Sequence, residues 1–439
     1  MSTELGVDLF ARGRLGALDE RTLAGLLDRA PADGGADGDL ASATAALLAD
    51  VRRRGDAALR DMAERFDRVR LEALEVPRAA WDESLAALDA SVRAALTRAA
   101  GNVRRFHTAQ LPADVVLDVE SGVRVTRTWT PLDRVGVYAP GGRAAYPSSV
   151  LMGVVPAKAA GVREVIVCSP PGPGGLPARE ILAACAIGGA DRLFAIGGAG
   201  AIAALTYGTE SVPAVDAVVG PGNRWVTEAK RQVAGRVLID SPAGPSEVLV
   251  IADETADPSL IAREVLAQAE HDPEAACVVV TTSPAIAAAT EAEIARQLLD
   301  APRAAVCKQA LAACGAVLVA DSLDEAIAFA DRYATEHLSV MTASAPIDAR
   351  RVRTSGTTFV GSSASVAFGD YMTGANHVLP TMGRARSFSG LSTLNYLRSF
   401  TIQEVTPAGA RAMADDVERL ALAEGLPAHA AAVRARRAP

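Results

Sequence analysis

The sequence predicts an α/β fold: two Rossmann-like, incomplete parallel-sheet domains with a helical N-terminal segment and an extended C-terminal tail. Three observations point there. Short apolar runs alternate with helical periodicity from about residue 135 onward, which is the rhythm of βαβ units. Half of the residues are hydrophobic but only 4% are aromatic, so Ala, Val, Leu and Gly must build a core of helices packed on sheets. The chain has 439 residues, more than one domain usually spans.

The elements follow in order. Pro31 to Gly38 is a Gly/Asp/Ala-rich break. Helical periodicity covers about Leu40–Phe66 and Ser84–His107, with His107 read as a cap or surface residue at its helix end. Val135–Pro140 is a strand ending in the turn Pro140-Gly141-Gly142. Strands at Glu164–Cys168, Arg192–Ile196, Ala217–Gly220 and Val237–Asp240 then alternate with helices from about Ala178, after Gly200, and over Asn223–Val233. A second series has strands at Ser246–Ala252, Cys277–Thr281, Ala316–Ala320 and His337–Met341. Its helices are Asp257–Glu270, Ala285–Leu299 and Leu323–Tyr333. The tail gives an extended piece near Thr401–Val405 and a helix over Pro407–Glu424, which Gly425 and Pro427 should stop.

Composition excludes several classes. Lys plus Arg is 44 against 52 for Asp plus Glu, a net charge of -8. Such a chain has no global pull on nucleic acid or an anionic membrane. No run of about 18 apolar residues marks a membrane span, and the N-terminus does not read as a signal peptide. Cys168, Cys185, Cys277, Cys307 and Cys314 form no CxxC pair and sit in apolar or Ala-rich surroundings. They read as buried thiols in a reducing compartment, so a cytoplasmic protein is expected.

Only five histidines are present, and four lie beside other polar candidates. Gln268 and His271 are three apart near a helix end; this is ligand spacing, or simply a histidine favoured by the helix dipole. Glu336 and His337 stand at a strand mouth, as a general-base pair or a surface ion pair. They share one site only if the backbone there is still a loop. Asp370 and His377 lie in a polar Gly-rich stretch, either a site or an ordinary loop. Glu424 and His429 lie near a tail that could simply fray. Gln268, His271, Asp370 and His429 together offer mixed oxygen–nitrogen coordination, which suits zinc, with manganese or cobalt as substitutes. Gly198-Ala199-Gly200 opens a loose G-x-G-x-x-A match, or only a tight turn; Gly220-Pro221-Gly222-Asn223 precedes another helix that could accept a pyrophosphate.

Several long stretches in order resemble the histidinol dehydrogenase family: Val135–Gly142 (VGVYAPGG), Ala145–Met152 (AYPSSVLM), Gly220–Lys230 (GPGNRWVTEAK), Ala243–Asp253 (AGPSEVLVIAD) and Gly369–Thr381 (GDYMTGANHVLPT). Gln268–His271, Glu336–Leu338 and Glu424–His429 add to them, and the resemblance runs from about residue 40 to 430. It implies a zinc-dependent oxidation of L-histidinol to L-histidine with two NAD and one water, through an aldehyde, in the last steps of histidine biosynthesis. It implies zinc held by Gln268, His271, Asp370 and His429, and a catalytic pair Glu336 and His337. Ser246, His377 and Glu424, with the zinc ligands and the catalytic pair, would meet substrate. Tyr138, Asn223 and position 200 would meet NAD. It implies a homodimer whose tails carry Glu424 and His429 into the partner's site.

The resulting division is 1–39 as N-terminal segment and 40–134 plus 243–389 as the first α/β domain, with the catalytic and metal residues. Residues 135–242 form the NAD-side domain and 390–439 the dimerisation tail. The chain departs from the family at Gly200, where a glutamine is usual, and at Ser339-Val340, where an acidic residue is common. The alternative activity is NAD-linked oxidation of another small amino- or sulfo-alcohol by the same family.

Overall fold

The computed structural model describes residues 7–29, 36–141, 145–241 and 244–437. Gly142 and Ala243 of the family stretches, the first half of the Pro31–Gly38 break and the first six residues lie outside them. Strands are numbered in chain order: β1 (Ala11–Arg14), β2 (Val115–Glu120), β3 (Val123–Pro131), β4 (Arg134–Tyr138), β5 (Glu164–Ser169), β6 (Arg192–Ala195) and β7 (Ala217–Val219). There follow β8 (Leu238–Ile239), β9 (Glu247–Ala252), β10 (Ala276–Thr281), β11 (Gly315–Val319), β12 (His337–Met341), β13 (Thr357–Val360) and β14 (Leu397–Val405).

The fold is α/β, with two fully parallel sheets. One runs β6-β5-β4-β7-β8. The other runs β1-β11-β10-β9-β12-β13. Leaving the edge strand β1 aside, each starts at its centre, steps outward to one side, then reverses, so each has a switch point: β4/β7 in one and β9/β12 in the other. The strands read as continuous Val/Ile/Leu runs because helices cover both faces; β9 and β10 are buried at every residue.

The expected grouping of 40–134 with 243–389 does not match the packing. Helix Ala36–Arg54 lies on helices Gly198–Tyr207 and Arg224–Val233, Arg78–Ala86 lies on Arg179–Gly188, and Ala90–Thr108 lies on Pro147–Ala160. These helices complete the five-stranded domain, where Val51, Leu59 and Trp81 join Val135 and Ile166 in one apolar cluster. The first segment does the reverse: β1 pairs with β11 at the edge of the six-stranded sheet. An apolar stripe shows that a helix is covered, not by what. His107 is corrected too. It is fully buried, with Nδ1 2.8 Å from the Val103 carbonyl and Nε2 3.5 Å from Asn376 Nδ2.

The third sheet, β14-β3-β2, is antiparallel, and the sequence reading had no strand over 115–131. Helices Pro407–Ala423 and Pro427–Arg434 follow it and pack on each other. His429 therefore sits in a helix rather than a frayed end.

Candidate active site

The site forms at the amino ends of β9 and β12, the opposite end from the usual ligand end of a parallel sheet. Helix Leu323–Tyr333 ends at Ala334 in the left-handed region (φ 52°), and Glu336 occupies a bend before the pleat starts at His337. That bend lets adjacent side chains serve one place. Both are buried, at 6% and 5% exposure.

His337 Nδ1 lies 3.0 Å from the Glu247 carbonyl oxygen and 3.1 Å from Gln268 Oε1. Both neighbours are acceptors, so the ring proton sits on Nδ1 and Nε2 keeps its lone pair. Nε2 is buried without a hydrogen-bond partner, 3.9 Å from Asp370 Oδ1. Burial lowers the His337 pKa to about 3, against the opposing pull of the Glu247 carbonyl, so the ring is neutral. Glu336 Oε2 accepts the Glu247 N–H at 2.8 Å and lies 3.5 Å from His337 Nδ1. Burial pushes the Glu336 carboxyl well above the usual range; the Glu247 N–H opposes this and the charges of Glu247 and Asp370 add to it.

Asp370 belongs to helix Val366–Tyr371, whose first N–H donates to Glu264 Oε2 at 2.9 Å. Glu264 and Gln268 lie one turn apart on helix Pro258–Ala269, so that helix places one metal-type donor and orients the element carrying another. His377 Nδ1 donates to the Asp370 carbonyl at 3.0 Å, and its Nε2 is 3.5 Å from Ser149 Oγ in the first turn of helix Pro147–Ala160. Burial raises Asp370 to about 6 and lowers His377 to about 4. His271 is exposed just past its helix, near enough for its charge to oppose protonation of His337 and His377. A small cavity lies between Asp370, His337, His377, Asn376, Thr357 and Phe359.

Tyr138 and Asn223, expected to meet NAD, sit on the five-stranded sheet at its switch point. Tyr138 ends β4, and its hydroxyl accepts the Gly198 N–H at 3.2 Å. Gly220 follows β7 with φ +110°, and a Cβ there would lie 2.1 Å from the Tyr138 carbonyl oxygen, so only glycine fits. The turn is held from beneath: Gly220 N–H donates to Asp240 at 2.8 Å, Lys230 Nζ donates to the Gly220 carbonyl at 3.0 Å, and Lys230 and Asp240 form a buried ion pair. Asn223 caps helix Arg224–Val233, accepting from the N–H groups of Trp225 and Val226.

The histidinol dehydrogenase family model matches residues 34–437. The chain belongs to that family. A histidinol dehydrogenase of Methanosarcina mazei is 46% identical over 399 residues, covering 91% of this chain and 92% of the relative. One of Thermobifida fusca is 48% identical over 394 residues, covering 89% and 90%. The crystal structure of histidinol dehydrogenase from Elizabethkingia anophelis superposes with a TM-score of 0.92 at 33% identity, covering 98% of each chain. The chain is thus an enzyme, an oxidoreductase of histidine biosynthesis.

The fold gathers Glu336, His337, Gln268, Asp370 and His377, with His271 at the rim. Ser246 is half-buried immediately before Glu247. Glu424 and His429 are not gathered: both are exposed on the tail, and neither lines the cavity. Among the described residues no three His, Cys, Asp or Glu side chains stand ready to hold a metal ion. The donors still fit a borderline cation in kind. Asp370 is a half-buried carboxylate whose nearest basic groups among the described residues are the neutral imidazoles of His337 and His377, at 3.9 and 4.0 Å, a setting that a cation would complete. Gly200 is buried, and a Cβ there would meet Met62 Sδ at 3.0 Å and Leu59 Cδ2 at 3.3 Å. Position 200 thus faces helix Asp56–Met62. Sequence reading missed Ser149, Glu247, Lys230 and Asp240. A buried acid or lysine inside an apolar run was the available signal.

Proposed function

We propose that the chain oxidises L-histidinol to L-histidine through L-histidinal, with zinc, two NAD and one water. The observation that carries this is the unpartnered, proton-free Nε2 of a neutral, buried His337. An alcohol gives up hydride only as its proton departs, and this nitrogen is a positioned acceptor for that proton. Glu336 has a raised carboxyl within the same enclosure, suited to draw a proton from water as it adds to the aldehyde. His337 returns its first proton to the aldehyde oxygen as water adds, and, neutral again, accepts a proton from the hydrate as the second hydride leaves. Enclosure by helix Val366–Tyr371 and the His377 loop keeps the aldehyde from escaping between steps.

Bound zinc would hold the substrate's amine and imidazole, with Gln268, His271, Asp370 and His429 as its ligands. Ser246, His377 and Glu424 would orient the substrate. NAD, accepting hydride, would lie along the β4/β7 switch near Tyr138, Asn223 and the helix that carries Gly200. A homodimer belongs to this reading, because His429 and Glu424 sit on an arm that stands away from their own chain's cavity. So does a cytoplasmic setting, which the unpaired thiols favour.

The test is NADH formation by the purified, zinc-loaded enzyme. Two NADH per L-histidinol, with L-histidine as product, and a loss of about 10²–10⁴ in kcat for His337→Asn are expected. Turnover of a small amino- or sulfo-alcohol in preference to histidinol would move the assignment to the alternative substrate.

A further inference from the structure

The catalytic pair is held from behind by a single residue. Glu247 gives its backbone carbonyl to His337 Nδ1 at 3.0 Å and its N–H to Glu336 Oε2 at 2.8 Å. Its own carboxylate accepts the N–H of Glu336 at 3.3 Å and of Met382 at 2.7 Å. The same carboxylate takes a two-point contact from Arg29, Nε at 2.7 Å and Nη2 at 3.1 Å. Arg29 also donates to the Tyr333 carbonyl at 2.8 Å and lies 3.5 Å over the Tyr333 ring. Tyr333 ends the helix from which the chain turns into Glu336. Arg29 therefore grips both sides of the bend that carries the pair.

A buried ion pair is an expensive way to fill space; apolar side chains of similar volume are often as stable or more so. The Arg29 and Glu247 side chains are only 8% and 2% exposed. What apolar residues could not do is fix the Glu247 peptide, whose two polar groups orient both catalytic side chains. They also could not offset the Glu247 charge, which otherwise faces Glu336 across the same enclosure.

We propose that Arg29, acting through the carboxylate of Glu247, is a positioning residue for Glu336 and His337. This rests on the reading of that pair given above. Arg29 precedes residue 34, where the family match begins, so the N-terminal segment takes part in the active site as well as in the sheet edge.

The experiment compares the full-length, zinc-loaded wild type with Arg29→Gln and Arg29→Lys. It reads kcat and KM for histidinol and NAD, NAD affinity, and thermal unfolding. Expected is a folded Arg29→Gln whose kcat falls about tenfold or more, the scale of a displaced catalytic group. Both KM values should stay within about twofold, and Arg29→Lys should recover part of kcat, because a split of this kind reports misalignment at the reacting atoms. Unchanged kcat in folded Arg29→Gln overturns the inference. So does a loss shared equally by kcat and KM with no recovery by lysine. If Arg29→Gln does not fold, Glu247→Gln decides: its carboxamide NH₂ would face donors, so the same kcat loss supports the inference and unchanged kcat overturns it. A wild type that makes no NADH from histidinol removes the functional reading itself, and the inference falls with it.

Discussion

At the scale of single residues, the site is organised by which atoms hold protons. His337 is neutral with its proton directed at two acceptors, whereas Asp370 holds its proton up to about 6. Desolvation is the main cause of the Asp370 shift, with the charge of Glu264 second. If Asp370 is a zinc ligand as proposed, zinc and a proton would compete for that carboxylate. Above pH 6 the carboxylate is free for metal. Below it, zinc affinity should fall about tenfold per pH unit, steepening as imidazole ligands protonate. Equilibrium dialysis against zinc from pH 7.5 to about 5 checks this; Asp370→Asn should bind more weakly and with a shallower slope. The sign for folding is consistent. A raised carboxyl contributes stability below its ordinary value of 3.8 that is lost as pH rises through about 6. Zinc should therefore raise Tm more at pH 7 than at pH 5. The types and spacing of Glu336, His337 and Asp370 were legible in the sequence. Glu247 was not, because it works through its peptide, and its carboxylate's partner Arg29 stands 218 residues away.

At the scale of elements, the proposed cofactor side depends on one turn. Asp240→Asn should unpair Lys230, at a cost of roughly 3–5 kcal/mol for a broken buried pair, and free the Gly220 turn. A lowered urea midpoint together with a higher KM for NAD and nearly unchanged kcat is the expected result. Equal loss of kcat and KM would show that the turn does more than hold cofactor. The Gly200 departure belongs to the same scale. Restoring glutamine alone must push aside Met62, with Leu59 close behind. Gly200→Gln should lose roughly 1–3 kcal/mol as an overpacked site without gaining NAD affinity. Adding Met62→Ala should recover stability and tighten NAD, measured by titration. The strand–helix rhythm from 135 to 341 was readable because buried parallel strands are continuous apolar runs. The β2–β3 hairpin was not: VVLDVE is exposed at every position, so burial wrote no pattern into it.

At the scale of the whole molecule, the arm from 115–131 and 397–434 carries Glu424 and His429, neither of which lines its own chain's cavity. β2 is an edge strand with Val115, Val116, Leu117 and Val119 each 57–59% exposed, a surface that normally needs a cover. Leu420, Leu422 and Leu426 are exposed on the same arm as Glu424 and His429. If the arms are exchanged in a two-fold dimer, each cavity combines one chain's body with the other chain's arm. The consequence separates exchange from any arrangement in which the arm folds back on its own cavity. His337→Asn damages a body and leaves its arm intact, while His429→Ala does the reverse. Each homodimer alone should be nearly inactive. Co-expressed, a hybrid dimer has one site with both lesions and one with neither, so a random mixture should recover about a quarter of wild-type activity. With self-serving arms every site keeps one lesion, and the mixture stays as inactive as its parents.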